Sequence, residues 1–179
     1  MKFGGTSVGK PERMHQVAAL IRRDSEKKIV VLSALSGTTN SLVEIGNLLQ
    51  QGDKEGAKYK IEQLNAHYQQ FINELLSKDE AKEKARSIIG EHFEFLHIIL
   101  KISFSESLNK DILAQGELMS TKLFSCYLEE QGVDHILLPA LEFMTIDVNE
   151  EPQLGNIKVK LSQLLHQHAQ TPLFITQGY

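Results

Sequence analysis

Four short segments hold residue types that could do chemistry. The first is Lys2-Phe3-Gly4-Gly5-Thr6-Ser7. Gly4 and Gly5 remove two side chains where backbone N–H groups can face an anion. Thr6 and Ser7 add hydroxyl donors, and Lys2 can set a cation beside the same charge. A Gly-Gly pair is equally the tight turn of an ordinary strand-to-helix junction, because glycine is the default turn residue. Gly4, Gly9 and Lys10 also imitate a phosphate loop, G-x-x-x-x-G-K-[ST]. Pro11 follows, so the hydroxyl that would bind magnesium is missing, and that reading is rejected.

The second segment, Ser33-Ala34-Leu35-Ser36-Gly37-Thr38-Thr39-Asn40, offers four hydroxyls, an amide and a glycine. It suits a small polar ligand, or a helix-capping loop. The third is Gln115-Gly116-Glu117-Leu118-Met119-Ser120. Glycine inside a helix costs about 1 kcal/mol relative to alanine, so Gly116 marks a close approach of a ligand or of another segment. Glu117 can then hold an amino group, or simply face solvent. The fourth, Thr176-Gln177-Gly178-Tyr179, ends the sequence.

No metal site is expected. His166 and His168 stand two apart, hence on different sides of a helix, and His92 and His97 stand five apart. Cys126 is the only cysteine, which excludes a disulfide framework and a cysteine metal site. Its neighbours Leu123, Phe124 and Leu128 make it a small buried hydrophobe.

The elements that must position these segments alternate. Met1-Lys2-Phe3 reads as a strand, Pro11 opens a helix carrying Met14, Val17, Ala18 and Ile21, and Ile29-Val30-Val31-Leu32 is a strand buried on both faces. A helical segment at about 40–130 follows. Thr39 or Asn40 is expected to cap its first helix, Ser77-Lys78-Asp79 to mark a turn, and Gly132 to close its last helix. Strands are expected at 135–140, 143–147 and 173–176, with a helix around Ile157, Leu161, Leu164 and Leu165. This order predicts an α/β three-layer sandwich with a mainly parallel sheet, in a single domain over residues 1–179.

Composition removes several function classes. Of 179 residues, 41% are hydrophobic and 23% charged, as in ordinary globular proteins. The net charge of -4, with 19 basic residues interleaved among 23 acidic ones, argues against nucleic acid. Apolar runs fall short of the ~20 residues of a membrane helix, so no membrane partner is expected and the cytoplasm is the default.

Taken in order, the segments resemble the aspartate kinases (aspartokinases) of the amino-acid kinase superfamily, from one end of the chain to the other. Lys2-Phe3-Gly4-Gly5-Thr6-Ser7 carries the most specific part of that likeness. It is supported by Val31-Leu32-Ser33-Ala34, Gly37, Thr39-Asn40, Gly116-Glu117-Leu118-Met119-Ser120 and Thr176-Gln177-Gly178-Tyr179. The resemblance implies an amino-acid kinase fold and transfer of the ATP γ-phosphoryl group to the β-carboxylate of L-aspartate. That reaction opens lysine, threonine and methionine biosynthesis, with Mg2+ accompanying ATP and a homo-oligomer as the working form. By the same resemblance Lys2 is catalytic and neutralises the moving phosphoryl group. Gly4, Gly5, Thr6 and Ser7 bind phosphate. Ser33, Thr39, Glu117 and Tyr179 hold aspartate, with Glu117 on its α-ammonium. Tyr179 stands where the family has phenylalanine. The family continues past this turn with a Gly-Arg-Gly-Gly-Ser-Asp segment, the nucleotide site and regulatory ACT domains. The expectation is therefore an amino-terminal part of a catalytic domain, inactive alone. A fusion to homoserine dehydrogenase and a non-catalytic amino-acid-binding module are the alternatives.

Overall fold

β-Branched runs build the sheet and the helices between them cover it. The computed structural model describes residues 1–178. Its strands are β1 (Lys2–Phe3), β2 (Lys28–Leu32), β3 (Ile136–Leu137) and β4 (Leu173–Gln177), in the order β1-β2-β4-β3 and all parallel. Lys2 stands in register with Val31, Val31 with Thr176, and Ile136 with Phe174. The long strands lie inside and the two-residue strands form the edges.

Eight helices are described: α1 (Gly5–Val8), α2 (Pro11–Ile21), α3 (Thr38–Gln50), α4 (Lys54–Leu75), α5 (Asp79–Ile99), α6 (Glu106–Glu130), α7 (Ala140–Phe143) and α8 (Leu154–Gln167). The period of two along the strands sorts them into layers. Val30, Leu32, Leu173 and Ile175 join one core with α2 to α6. Ile29, Ile136 and Phe174 face the opposite side, where they meet Phe143 and the partly buried Ile157, Leu161, Leu164 and Leu165. The three-layer sandwich follows. No described helix is long and apolar enough to cross a membrane.

Local signals explain several helix ends. The Asp53 carboxylate accepts the Gly56 amide at 2.9 Å and starts α4; Ser105 accepts the Leu108 amide at 3.2 Å and starts α6. Gly132, at φ 67°, closes α6 as expected. The first turn of α5 has a distant cap instead: Glu130, from the end of α6, accepts the Ser77 and Lys78 amides at 2.8 and 2.7 Å.

Two expectations need correction. Neither Thr39 nor Asn40 caps α3; Gly37, at φ 84°, holds the cap position, and Thr38 and Thr39 are already helical. Residues 143–147 form no strand. Pro139 has no N–H to extend the ladder, and the Ala140 amide is captured by Gln177 Oε1 at 2.8 Å, which starts α7. Beyond it Ile146 makes only an isolated antiparallel bridge with Pro152, and Asp147 Oδ1 accepts the Asn149 and Glu151 amides at 2.8 and 3.0 Å.

Candidate functional site

Gly5 of the first segment and parts of the other three meet at the carboxyl ends of β1, β2 and β4, and glycines make the approach possible. A Cβ on Gly5 would lie 3.0 Å from the Ala34 carbonyl oxygen, so the loop after β1 is pressed onto the loop after β2. A Cβ on Gly9 would meet the Ser36 side chain and the Gly5 oxygen. Gly116 does the same for α6: a Cβ there would come within 3.0 Å of Ala34 Cβ and 3.3 Å of Thr38 Cγ2. The close approach expected at Gly116 is thus made by the second segment.

Glu117 follows Gly116 and is turned toward the end of β4, where its Oε2 accepts the Gly178 amide at 2.8 Å. Gly178 in turn lies against Val31, the neighbour of Leu32 on β2. The carboxylate therefore stands at the end of β4, half-buried, with β2 on the other side of Gly178. Ser33 continues β2, its amide bonded to the Phe3 carbonyl at 3.1 Å, and Thr39 is exposed on the first turn of α3.

The first segment divides. Lys2 is exposed on the edge strand, on the face it shares with Val31 and Thr176 by register and alternation, whereas Phe3 packs on the main core. Gly4 precedes the single helical turn α1, whose Ser7 amide bonds the Gly4 carbonyl at 2.8 Å. Thr6 and Ser7 line a cleft of about 300 Å³ with Phe3, Arg13, Gln16 and Leu20, and Arg13 Nη1 donates to the Thr6 carbonyl at 2.6 Å. The structure thus brings together Gly5, residues 33–38, Glu117 and Gly178, while Thr6 and Ser7 belong to the α1–α2 cleft. Tyr179 lies outside the described residues.

Sequence reasoning overlooked two supports. Gln177 is buried and bonds both ways, accepting from the Ala140 amide and donating to Thr121 Oγ1 at 2.8 Å. Thr121 sits four residues after Glu117, on the next turn of α6, so the same clamp ties β4 to the helix that carries the carboxylate. The second is a buried hydrogen bond of 3.2 Å between Thr38 Oγ1 and the Tyr68 hydroxyl. Only the polar type of Thr38 and Gln177 hinted at either.

The remaining titratable groups are set by the core. Burial pushes the Cys126 thiol up to about 11, in keeping with an inert hydrophobe. Burial lowers the His92 imidazole, against a 2.6 Å hydrogen bond to Gln115 that raises it. No group of three His, Cys, Asp or Glu that could hold a metal occurs among the described residues.

Comparison with known proteins adds to this geometry. The model of the amino acid kinase family matches residues 1–178. Aspartokinase 2, chloroplastic, of Arabidopsis thaliana is 40% identical over 139 residues, covering 74% of this chain and 24% of its own length. Bifunctional aspartokinase/homoserine dehydrogenase 2 of Escherichia coli (strain K12) is 30% identical over 179 residues, 98% of this chain and 22% of its own. E. coli aspartokinase III superposes in two crystal structures, each covering 99% of this chain and 40% of that one. The complex with lysine and aspartate (T-state) has a TM-score of 0.84 at 29% identity. The complex with aspartate and ADP (R-state) has 0.77 at 30%. The chain thus spans about a quarter of the curated relatives and two fifths of the solved one.

Proposed function

The chain belongs to the amino acid kinase family, and on that premise we propose that it is the amino-acid side of an aspartokinase, an enzyme that moves the γ-phosphoryl group of ATP onto the β-carboxylate of L-aspartate. One observation carries this reading: the loop 33–38, Gly116-Glu117 and Gly178 meet at one edge of a parallel sheet, where α/β proteins bind ligands. Glu117 supplies the carboxylate for the α-ammonium of aspartate, with Ser33 and Thr39 beside it and Tyr179 following Gly178. The Gly4 and Gly5 amides serve the phosphate and Lys2 offsets the charge of the moving group, whereas Thr6 and Ser7, which line the α1–α2 cleft, reach the phosphate in this reading only if it extends over α1.

The chemistry asks little of the protein beyond alignment. The aspartate β-carboxylate is already a nucleophile. Its oxygen forms a bond to the γ-phosphorus while the bond from that phosphorus to the bridging oxygen of ADP breaks. No proton is abstracted and no enzyme-bound covalent intermediate is needed. Two anions must be held together, which makes fixed N–H donors and one cation the useful groups. Magnesium enters this reading only as the cation carried by the nucleotide phosphates.

Because relatives of this kind are far longer, the 179 residues alone are proposed to be the aspartate- and phosphate-binding part and to lack turnover by themselves. The longer protein is read as a cytoplasmic homo-oligomer. The acyl phosphate product gives the test, since hydroxylamine traps it as a hydroxamate. Hydroxamate that requires both aspartate and MgATP is expected from a longer polypeptide carrying these residues, and none from the 179 residues. Its absence from the longer polypeptide sinks the functional reading, and its formation by the 179 residues sinks the assignment of the part. In the active polypeptide Lys2→Ala should lower kcat about 100- to 1000-fold with the unfolding midpoint unchanged. Near-normal turnover removes Lys2 from the mechanism. Similarity to the E. coli bifunctional protein favours a second form of the reading, with a dehydrogenase fused downstream, which the reading frame beyond Tyr179 decides.

A further inference from the structure

Glu117 and the pair Ser33 and Thr39 come from different elements, so their separation is set where those elements touch. That contact is made by Ala34 and Thr38 against Gly116. The loop that leads into Thr38 has freedom at Gly37, a left-handed glycine at φ 84° with open space around it; the Thr38 amide closes on the Leu35 carbonyl at 3.0 Å, and the Gly37 carbonyl accepts the Ser41 amide and hydroxyl at 3.1 and 3.2 Å. Ala34 and Ser36 pack against Gly5, Gly9 and Gly116, and one side-chain hydrogen bond from outside the loop adds a tether at Thr38. Thr38 and Tyr68 are both fully buried, and their hydroxyls meet at 3.2 Å. Tyr68 itself has no room to move. It sits in the middle of α4, and its ring stands edge-on to Phe93 of α5 at 5.7 Å. Burial raises its phenol, which stays protonated and able to donate.

We propose that Tyr68 is a positioning residue for the amino-acid pocket: through Thr38 it holds the loop 33–38 at a set distance from Glu117. The inference rests on the aspartokinase reading for its substrate. Tyr68 touches neither substrate nor phosphate; it transmits the rigidity of the α4–α5 pair to the mouth of the pocket. A phenylalanine at 68 keeps the ring and its packing and removes only the tether, leaving Thr38 Oγ1 buried without its partner.

Two measurements test it. In the active polypeptide, Tyr68→Phe should raise KM for aspartate on the order of tenfold, while kcat and KM for ATP stay within about twofold. Thr38→Val, which keeps a methyl against Gly116 and removes the hydroxyl, should do the same, and the double variant should add little. A Tyr68→Phe protein that melts earlier but keeps the parent KM has lost a structural bond only, and the proposal fails. Hydrogen exchange on the 179-residue chain reads the tether without any activity. Tyr68→Phe should speed exchange at residues 36–41 about tenfold and leave α8 unchanged. Unchanged exchange at 36–41, or equal acceleration everywhere, overturns it. If the parent polypeptide shows no aspartate-dependent turnover while exchange behaves as expected, the substrate assignment falls and the tether stands.

Discussion

On one face of the sheet, Val30, Leu32, Leu173 and Ile175 lie under α2 to α6, in a core that continues through Met119, Phe124, Tyr68 and Phe93. On the other, Ile29, Ile136 and Phe174 meet α7 and α8, and no residue of α8 is fully buried. Leu141, Val148 and Leu154 on that second side are largely exposed. The apolar burial that stabilises the fold is thus concentrated on the face that also carries Gly116, Glu117 and the tether to Thr38. Position at the site and stability of the chain come from one body of packing, and the α7–α8 layer contributes little to either.

The largest blow to this asymmetry should come from Phe124, fully buried on α6. Phe124→Ala is expected to remove about 3–5 kcal/mol in urea unfolding, whereas Leu161→Ala on α8 should remove about 1 kcal/mol. Equal losses would dissolve the comparison. Next in size is Gln177, which bridges the faces by bonding Thr121 on one side and the Ala140 amide on the other. Gln177→Ala leaves both partners buried and should cost about 1–3 kcal/mol. Proteolysis should then open the α7 region before the helical array; the reverse order would show that Gln177 holds no layer in place.

The smallest effect is a dependence on pH. Burial keeps the folded His92 below its ordinary 6.5, in spite of the Gln115 bond, with Lys122 lowering it further and Glu91 raising it. The unfolded chain takes up a proton near 6.5 and the folded chain only at lower pH. The stabilisation is therefore complete above 6.5 and is lost as pH falls through the folded value. The unfolding midpoint should drop between pH 7 and 5 in the parent and drop less in His92→Gln. Parallel curves would place the acid-labile group elsewhere.

What could be read from the sequence, and what could not, divides along the same physical line. Periodicity is local, so the stripe Ile61, Leu64, Tyr68, Ile72 and Leu75 and the strand at 29–32 were legible, and each of those helical positions is buried. The chain order of the motifs was legible too, and it located the sheet edge where they gather. Contacts set by distant partners were not. Glu130 caps α5 from some fifty positions away, Gln177 diverts Ala140 into a helix, and Tyr68 bonds Thr38 across thirty. The supposed strand at 143–147 failed for this reason: its apolar residues suggest burial, but Met144 and Ile146 find no neighbouring strand and stay exposed. Gly116 was readable as an anomaly, although only the structure shows that Ala34 and Thr38 fill the space its side chain would occupy.

Both margins of the sheet are two residues long, while the five-residue strands lie inside. An incoming strand from a misfolded neighbour would find only a stub of unpaired amides on which to template itself. Backbone-driven fibril growth therefore has little foothold on this sheet. If the chain self-associates at high concentration, the adhesive is the greasy α7–α8 surface around Leu141, Val148 and Leu154. Such clumping should weaken on cooling, as hydrophobic association does, rather than seed an ordered cross-β lattice.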